Sequence, residues 1–354
     1  MVEGSLHIVT SDARRGAETF AVELVTALQG AGHRAQIVAL TASGREEVHD
    51  IPVLGARRRA SSTLRNLRSA ARDADVVVAH GSSTLEACAV GLTAVGTPFV
   101  YRTIGDPSYW VSSTWQQRRI GWMLRRATRN VVLWPGAAKQ LASMYALRQD
   151  RVDVIPNAVT AERFEPANAL ERRESRERFG IAQSQQCLAF VGSLSPEKDI
   201  PSLLAALRHL SDVSLVIAGE GPEGPRLEAL ASELAPDQVR FLGAVRDPRA
   251  VYAAADLLVL PSLSEGLPAV IIEAGLMETP TIASAVGAIP DVIDDGDTGY
   301  LIAPRQPERL AGRIEQALPR AAEVGRSARQ AFLGRFTMEA VVPAWEATLS
   351  AATR

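Results

Sequence analysis

The chain has 354 residues, a formal net charge of −2 and 47% hydrophobic residues, which is typical of a globular protein long enough for two domains. A net charge this close to zero argues against binding a polyanion over the whole surface, so we expect no nucleic-acid partner. The charge is uneven, because residues 1–167 carry 20 Lys and Arg against 15 Asp and Glu. A basic N-terminal half favours an acidic acceptor or an anionic membrane surface.

Cysteine usage and hydropathy also limit the class of protein. Cys88 and Cys187 lie in apolar segments without the spacing of metal ligands, so we expect buried free thiols. The first residues, MVEGSLHIVTSD, show no signal-peptide pattern. The longest nearly apolar run, residues 87–101, is too short and too interrupted by Gly, Thr and Pro to span a bilayer. We therefore expect a cytoplasmic protein, with peripheral contact at the inner face of the membrane as a further hypothesis.

Short β-branched segments alternate with helical patterns through the first half of the chain. We predict strands at LHIVTS, RAQIVAL, DVVVAH and PFVYRT, and helices at AETFAVELVTALQGAG, TLRNLRSAARDA and STLEACAVGLTAV. This alternation is typical of β-α-β units in a parallel sheet.

The second half repeats the alternation. We predict strands at CLAFVGS, SLVIAGE, VRFLG, DLLVLPS, TIASAV and GYLIAP, and helices at DIPSLLAALRHL, PRLEALASEL and RAVYAAA. The charged run NALERRESRER marks the boundary, so we predict doubly wound domains at 1–167 and 168–337. The last segment, FTMEAVVPAWEATLSAA, predicts a closing helix that packs back on the first domain. Ligands of such sheets bind beyond the carboxyl ends of the strands.

The segment LPSLSEGLPAVIIE places Glu265 and Glu273 on either side of a Gly-Leu-Pro corner that follows a predicted buried strand. Pro268 suits the first position of a helix, where its missing N–H costs nothing. The free amides at such a helix start favour an anion, and Glu273 lies roughly 7 Å further along the axis. This spacing predicts a site for a phosphate next to a ribose diol. For an isolated glutamate, a solvated position on a surface helix is the alternative.

Three further candidates follow predicted strands of the sheets. Gly16 at the first βα corner lets the backbone approach a phosphate, although a plain tight turn is the favoured interpretation on local grounds. His80 ends the strand DVVVAH and would point into the ligand crevice, with a satisfied structural histidine as the alternative. Lys198 in GSLSPEKDI is placed to neutralise a diphosphate, unless it is simply a solvated loop lysine.

Two motifs are weaker than their patterns suggest. The run GEGPEG at 219–224 satisfies G-x-G-x-x-G, but Glu220 and Glu223 add negative charge and Pro222 removes an N–H donor, so we do not predict a dinucleotide site. The run DAD at 73–75 resembles a metal-binding carboxylate pair. It precedes its strand, away from the ligand edge, so we interpret it as a solvated corner.

The segment 110–130 combines tryptophans with arginines in an amphipathic pattern. Core packing with extended arginine side chains is the favoured interpretation. Contact with an anionic membrane is the alternative.

Taken together, these segments resemble the retaining glycosyltransferases of family 4, which have the GT-B fold. Residues 264–304 resemble the E-x7-E region and the elements that follow it, and FVGSLSPEKD resembles V-G-R-L-x-x-E-K-G. DVIPNAVTAERF and FLGAVRDPRAVYAAADLLVLPS resemble the interdomain segment and the region around the base. The resemblance covers nearly the whole chain and implies an α/β protein with two Rossmann-like domains facing a central cleft.

The resemblance also implies roles for individual residues. On the donor side, Glu273 would bind the ribose hydroxyls, Glu265 would face the donor sugar, and Lys198 would contact the diphosphate. The backbone would hold the sugar, the diphosphate or the base at Gly266, Leu267, Gly243 and Val245.

In the N-terminal domain, Gly16 would contact the diphosphate, and His80 would lie near the sugar. Arg102 and Asp106 follow a strand there and would meet the sugar or the acceptor.

Some positions depart from the family pattern. Ser193 stands beside the diphosphate position, where the family commonly has arginine, and Ala158 replaces a glycine. Asp291 replaces a glutamate, and Glu278 with Thr279 occupies the place of a glycine. Glu265, Glu273, Lys198 and His80 all remain, which favours activity.

The implied reaction moves a hexose-type sugar from UDP- or GDP-sugar to an acceptor hydroxyl, with retention and with no required cofactor or metal. The product would belong to glycan, glycolipid or metabolite glycoside biosynthesis. Two alternatives stay open: a GT-B nucleotide-sugar epimerase, and a catalytically idle sugar-nucleotide-binding protein.

Overall fold

The computed structural model describes residues 4–45, 48–105 and 113–354. The chain divides into unit 1, Met1–Val159 with Met338–Arg354, and unit 2, Thr160–Thr337. The boundary predicted at residue 167 lies inside unit 2, near its start. Both units contain a parallel sheet with helices in the crossover connections, as the alternation of segments predicts.

The sheet of unit 1 has seven parallel strands in the order β3-β2-β1-β4-β5-β6-β7. The strands are β1 (Gly4–Ser11), β2 (Arg34–Thr41), β3 (Val53–Gly55), β4 (Val76–His80), β5 (Phe99–Arg102), β6 (Arg129–Val132) and β7 (Val152–Val154). The helices are α1 (Gly16–Gly30), α2 (Ser61–Ala71), α3 (Ser82–Gly91), α4 (Thr114–Arg126), α5 (Pro135–Tyr145) and α14 (Met338–Ala352).

The sheet of unit 2 has six parallel strands in the order β10-β9-β8-β11-β12-β13. The strands are β8 (Gln186–Val191), β9 (Val213–Ala218), β10 (Val239–Phe241), β11 (Leu257–Leu260), β12 (Thr281–Ser284) and β13 (Gly299–Ile302). The helices are α6 (Ala169–Arg178), α7 (Ile200–Leu207), α8 (Gly224–Leu234), α9 (Arg249–Ala254), α10 (Ala269–Leu276), α11 (Ile289–Val292), α12 (Pro307–Ala317) and α13 (Ala321–Leu333).

The core of unit 1 lies between its sheet and the helices α1 and α14. Val78 and Val100 of the sheet belong to one buried cluster with Phe20 of α1 and Trp345 of α14. Trp345 has no exposed surface, and Met338 N donates to Val159 O at 3.1 Å where α14 begins. The closing segment is therefore an integral part of the unit 1 core.

The charged run that marks the predicted boundary forms the helix α6, for which the sequence pattern predicts no helix. Asn168 and Glu171 form a complete capping box at its start. Arg172 and Arg176 then bind backbone carbonyls at the end of α9 and the carboxylate of Asp256. These hydrogen bonds and ion pairs attach α6 to the rest of unit 2. No local pattern in the sequence indicates them.

No helix in the described part of the chain is long and apolar enough to cross a membrane.

Trp345→Ala should lower the free energy of unfolding of unit 1 by about 3–5 kcal/mol, because it removes a fully buried ring from the core. All five tryptophans fall in the sequence of unit 1, so tryptophan fluorescence during urea unfolding follows this unit. Trp115→Ala is the control, since the Trp115 side chain is 69% exposed and its loss should cost less than about 0.5 kcal/mol. Equal losses in the two variants would contradict the role of α14.

Candidate functional site

The strands β8 and β11 are neighbours in the sheet of unit 2, and the strand order reverses between them. The chain leaves β8 toward β9 on one side and leaves β11 toward β12 on the other. The loops 192–199 and 261–268 therefore diverge at the carboxyl end of the sheet. Such a switch point is where open α/β sheets bind ligands. Most of the residues predicted for the donor side lie in these two loops.

Lys198 and Glu265 meet across this switch point. Lys198 Nζ donates to Glu265 Oε1 at 2.6 Å, and the two side chains are 16% and 8% exposed. Ser262 Oγ donates to the same Oε1 at 2.6 Å, and Leu263 N donates to Glu197 O at 2.8 Å. The structure thus brings two predicted residues into one polar cluster. Ser262 was missed in the sequence, where its position at the carboxyl end of the predicted strand DLLVLPS was the available signal.

Glu273 lies on α10 and is held by a tyrosine. Tyr252 OH donates to Glu273 Oε2 at 2.7 Å. Burial and the adjacent carboxylate raise the pKa of Tyr252 well above its ordinary value, so the phenol stays a neutral donor. The sequence predicts Pro268 at the first position of the helix. In the structure Pro268 is the N-cap residue, in an extended conformation, and the helix begins one residue later. Tyr252 had no signal in the sequence, since its partner is 21 residues away.

Gly287 supports the loop that carries Glu265. Its φ is +56°, and a Cβ at this position would lie 1.9 Å from Glu265 O. Ala288 N also donates to Gly266 O at 3.0 Å. Only glycine allows this close approach of two backbones, so Gly287 positions Glu265 and Gly266 from the neighbouring strand loop.

The glycines of the GEGPEG run pack against the loop that carries Lys198. A Cβ on Gly219 would lie 1.7 Å from Gly192 O, and a Cβ on Gly221 would lie 2.3 Å from Leu194 O. This close backbone packing explains why both positions carry glycine, so a dinucleotide site is not needed to account for them. Ser193 in the same loop is exposed, and its Oγ lies 3.0 Å from Ser195 Oγ.

The loop after β10 contains Gly243 and Val245, the residues predicted near the base. Gly243 has φ +67°, and its carbonyl accepts from Gly219 N at 2.8 Å. Ala244 N donates to Glu220 Oε1 at 3.2 Å. Val245 is half-buried. These contacts join the loop to the glycine run and so indirectly to the loop of Lys198.

The remaining predicted residues belong to unit 1. Gly16 is the first residue of α1 and is exposed, and no heavy atom lies within 4 Å of its Cβ position. Packing within unit 1 therefore does not require glycine here, and approach of a phosphate stays a prediction. Asp106 lies outside the described residues.

His80 is buried, with 2% of its surface exposed. Its Nε2 lies 3.1 Å from His7 Nδ1, and the two rings stack with centroids 5.3 Å apart. Burial lowers the pKa of His80 well below its ordinary value, and His7 and Arg102 lower it further, so the ring is neutral. The expectation that His80 points into an open crevice is corrected here. Its side chain shares the sheet face of Val78, which packs against α1 and α14.

Arg102 is buried on the same face and is 1% exposed. Its guanidinium lies 3.7 Å from the centroid of the Phe20 ring, and Nη2 donates to Asn157 Oδ1. Burial lowers the pKa of Arg102 to about 9. Arg102 therefore does not reach the surface, which corrects the prediction that it meets the sugar or the acceptor. Strand alternation explains this, because Arg102 follows Val100 on the face that forms the core.

Solved structures identify the fold class. The Anabaena protein Alr3699/HepE in complex with UDP-glucose has a TM-score of 0.86, is 20% identical and covers 98% of this chain and 99% of its own. The lipopolysaccharide glycosyltransferase WaaG has a TM-score of 0.71, is 17% identical and covers 97% and 98%. At these identities the likeness shows the fold alone, and the fold is that of the GT-B glycosyltransferases.

Family models match both units. The model of Glycosyltransferase Family 4 matches residues 14–163, and the model of Glycosyl transferases group 1 matches residues 171–331. The chain therefore belongs to the family 4 glycosyltransferases.

Among curated proteins, D-inositol 3-phosphate glycosyltransferase of Mycobacterium marinum is 33% identical over 235 residues, 64% of this chain and 49% of that protein. The Geodermatophilus obscurus protein of the same name is 35% identical over 247 residues, 65% and 54%. The chain spans about half the length of the curated relatives it matches.

The neutral His7–His80 pair should make the stability of unit 1 depend on pH. Burial lowers the pKa of His7 to about 3 in the folded state, against 6.5 when solvated. The unfolded state therefore binds the proton first as the pH falls, and the folded state loses stability between pH 6.5 and 3. Between pH 6.5 and 4.5 the wild-type protein should lose about 2 kcal/mol more than His7→Gln.

The measurement is urea unfolding followed by tryptophan fluorescence at each pH. His209→Gln removes the same ring from an exposed position in unit 2 and serves as the control. Parallel stability curves for the wild-type protein and His7→Gln would show that His7 is not held neutral.

Proposed function

We propose that this protein is a glycosyltransferase that moves a hexose-type sugar from a UDP- or GDP-sugar to an acceptor hydroxyl, with retention of anomeric configuration. The observation that carries the proposal is the Lys198–Glu265 cluster at the switch point of unit 2, with Glu273 on the helix that follows. Family membership and the name shared by the curated relatives support it.

Lys198 is the group we assign to the diphosphate. Its ammonium is a compact positive charge at the carboxyl end of the sheet, next to the start of α10. Glu265 holds it from one side and is itself held by Ser262, so the lysine is positioned before the donor arrives. A fixed positive charge of this kind stabilises the negative charge that develops on a departing diphosphate.

Glu273 is the group we assign to the ribose. A carboxylate accepts hydrogen bonds from both hydroxyls of a diol. Tyr252 fixes one oxygen of this carboxylate from the buried side. Glu265 lies between these two groups in the chain, and we assign it to the donor sugar.

The proposed reaction needs no nucleophile from the protein. The C–O bond between the sugar and the diphosphate breaks with oxocarbenium character, and the acceptor hydroxyl attacks the same face. The hydroxyl proton passes to an oxygen of the leaving phosphate. Lys198 and the backbone amides near Gly266 stabilise the leaving group, and the proposal requires neither a metal nor a cofactor.

The acceptor is proposed only as a hydroxyl-bearing molecule, in a glycan, a lipid or a small metabolite. The curated relatives carry D-inositol 3-phosphate in their name. Polyol phosphates are therefore the first acceptors to test.

We also propose that unit 1 contacts anionic membranes from the cytoplasmic side through α4. Trp115, Arg119, Trp122 and Arg126 form one stripe along this helix, at spacings of four, three and four residues. Trp115 is 69% and Trp122 46% exposed, and each ring lies within 5.5 Å of an arginine guanidinium carbon. Tryptophan and arginine are the residues that interfacial helices use.

Lys198→Ala and Glu273→Ala should each lower kcat/KM by about 100-fold or more, because each removes a contact to the departing nucleotide. The assay measures release of nucleoside diphosphate from UDP- and GDP-sugars with polyol acceptors, and NMR gives the anomeric configuration of the product. Lys139→Ala is the matched control, since Lys139 is the only other lysine in the sequence and is exposed in unit 1. Wild-type rates in both site variants would reject the assignment, and donor isomerisation without acceptor would identify an epimerase.

The membrane proposal predicts that the wild-type protein sediments with vesicles containing phosphatidylserine at low salt. Binding should fall several-fold for the double variant Trp115→Ala/Trp122→Ala, which loses the apolar part of the stripe. Neutral phosphatidylcholine vesicles are the control for charge. Sedimentation that is absent, or equal for both proteins, would dismiss this contact.

A further inference from the structure

A groove of about 810 Å³ lies in unit 1 along α3, between α2 and α4. Tyr101 of β5 lines this groove, whereas the next residue, Arg102, points to the opposite face of the sheet, where it lies over Phe20. The groove is therefore on the sheet face opposite His80 and Arg102. None of the residues we assign to the donor lines this groove. Its volume falls in the range of small-molecule sites.

One part of the groove is apolar. Leu64 of α2, Leu85 and Val90 of α3, and Ile120 and Met123 of α4 line it. Val90 is 45% exposed, although it stands among other aliphatic side chains. A ligand that covered this surface would gain free energy from burial of its apolar part.

The other part of the groove is cationic. Arg58 Nη1 donates to Ser83 Oγ at 2.5 Å, and Arg59 Nη2 donates to Glu86 Oε2 at 2.7 Å. Arg119 Nη1 lies 3.9 Å from Glu86 Oε1. The described residues that line the groove therefore include three arginines and one carboxylate. Guanidinium groups are suited to phosphate, which they bind with paired hydrogen bonds.

Helix geometry shows that the two parts belong to one surface. Gln116, Arg119, Ile120 and Met123 are spaced by three, one and three residues, so they lie on one face of α4. Arg119 therefore stands directly beside the aliphatic side chains. Ser82 and Ser83, at the first turn of α3, lie at the cationic part, where the helix amides also favour an anion.

We infer that this groove is a binding site for an anionic amphiphile, a molecule with a phosphate head and an apolar chain. The head binds Arg58, Arg59 and Arg119, and the chain lies on Leu64, Val90 and Met123. Glu86 occupies two of the arginines in the structure, so the phosphate takes over contacts that this carboxylate makes now. A free phosphate would leave the aliphatic part uncovered, and a neutral amphiphile would leave the arginines without an anion.

The experiment is calorimetric titration of the full chain with three probes. They are monomeric dodecyl phosphate below its micelle concentration, inorganic phosphate, and monomeric dodecyl maltoside. Dodecyl phosphate should bind at least about 10-fold more tightly than either other probe, because it alone satisfies both parts of the groove. If inorganic phosphate binds as tightly as dodecyl phosphate, the groove is only an anion site. If dodecyl maltoside binds as tightly as dodecyl phosphate, the groove is only an apolar site. Either result overturns the inference.

Two variants then locate the binding. Arg119→Ala should weaken dodecyl phosphate about 10-fold, whereas Arg118→Ala, its exposed neighbour outside the groove, should change the affinity less than twofold. Glu86→Gln should strengthen binding several-fold, because it frees Arg59 and removes a competing negative charge. Glu86→Gln should bind dodecyl maltoside no more tightly than the wild-type protein does, which separates this gain from apolar surface exposed by misfolding. Weaker binding by Glu86→Gln, or equal losses in Arg118→Ala and Arg119→Ala, would refute the inference.

Discussion

The ion pair between Lys198 and Glu265 is the contact on which the proposed donor site of unit 2 depends. The two loops that carry these residues leave adjacent strands in opposite directions, so no continuous secondary structure joins them. The side-chain pair and the bond from Leu263 N to Glu197 O join them instead. Since both side chains are largely buried, removal of one partner would leave the other charge without compensation. The pair therefore fixes the geometry of the site.

The neighbouring loops approach this pair only because glycine replaces side chains at the contacts. Gly287 brings the loop after β12 against Glu265, and Gly219 and Gly221 bring the loop after β9 against the loop of Lys198. The site is thus supported from both sides by backbone rather than by side chains. Backbone contacts of this kind are rigid, which suits the proposed role of holding a diphosphate in one position.

Lysine, rather than arginine, suits position 198, where the loops pack closely. The sequence has two lysines, and arginine supplies the other basic residues. Lysine at position 198 presents a compact ammonium that fits beside a carboxylate and still offers donors to a ligand. Because Ser193 leaves the other commonly basic position uncharged, the proposed mechanism depends on Lys198 more heavily than in relatives with arginine there.

The two faces of the sheet in unit 1 serve different purposes. One face carries His7, His80 and Arg102 into the core beneath Trp345, where burial keeps the imidazoles neutral. The other face carries Tyr101 toward the groove along α3. Two adjacent residues of β5 therefore lie in different surroundings. Arg102 is in the buried core, and Tyr101 is at the open basic groove. Strand alternation alone separates them.

The sequence by itself determined the alternation of strands and helices, the two parallel sheets, the loops that carry Lys198 and Glu265, and the helix that carries Glu273. Hydrophobic periodicity and the position of polar residues after strands are local properties, so they can be recognised without the fold. Short strands such as β3 and β7, and the helix α6, were missed because three residues or a charged run carry little periodicity. Only the tertiary structure decided that Lys198 pairs with Glu265, that Tyr252 holds Glu273, and that His80 and Arg102 are buried. Those outcomes depend on strand order and on which sheet face is covered, and both are set by contacts between residues far apart in the chain.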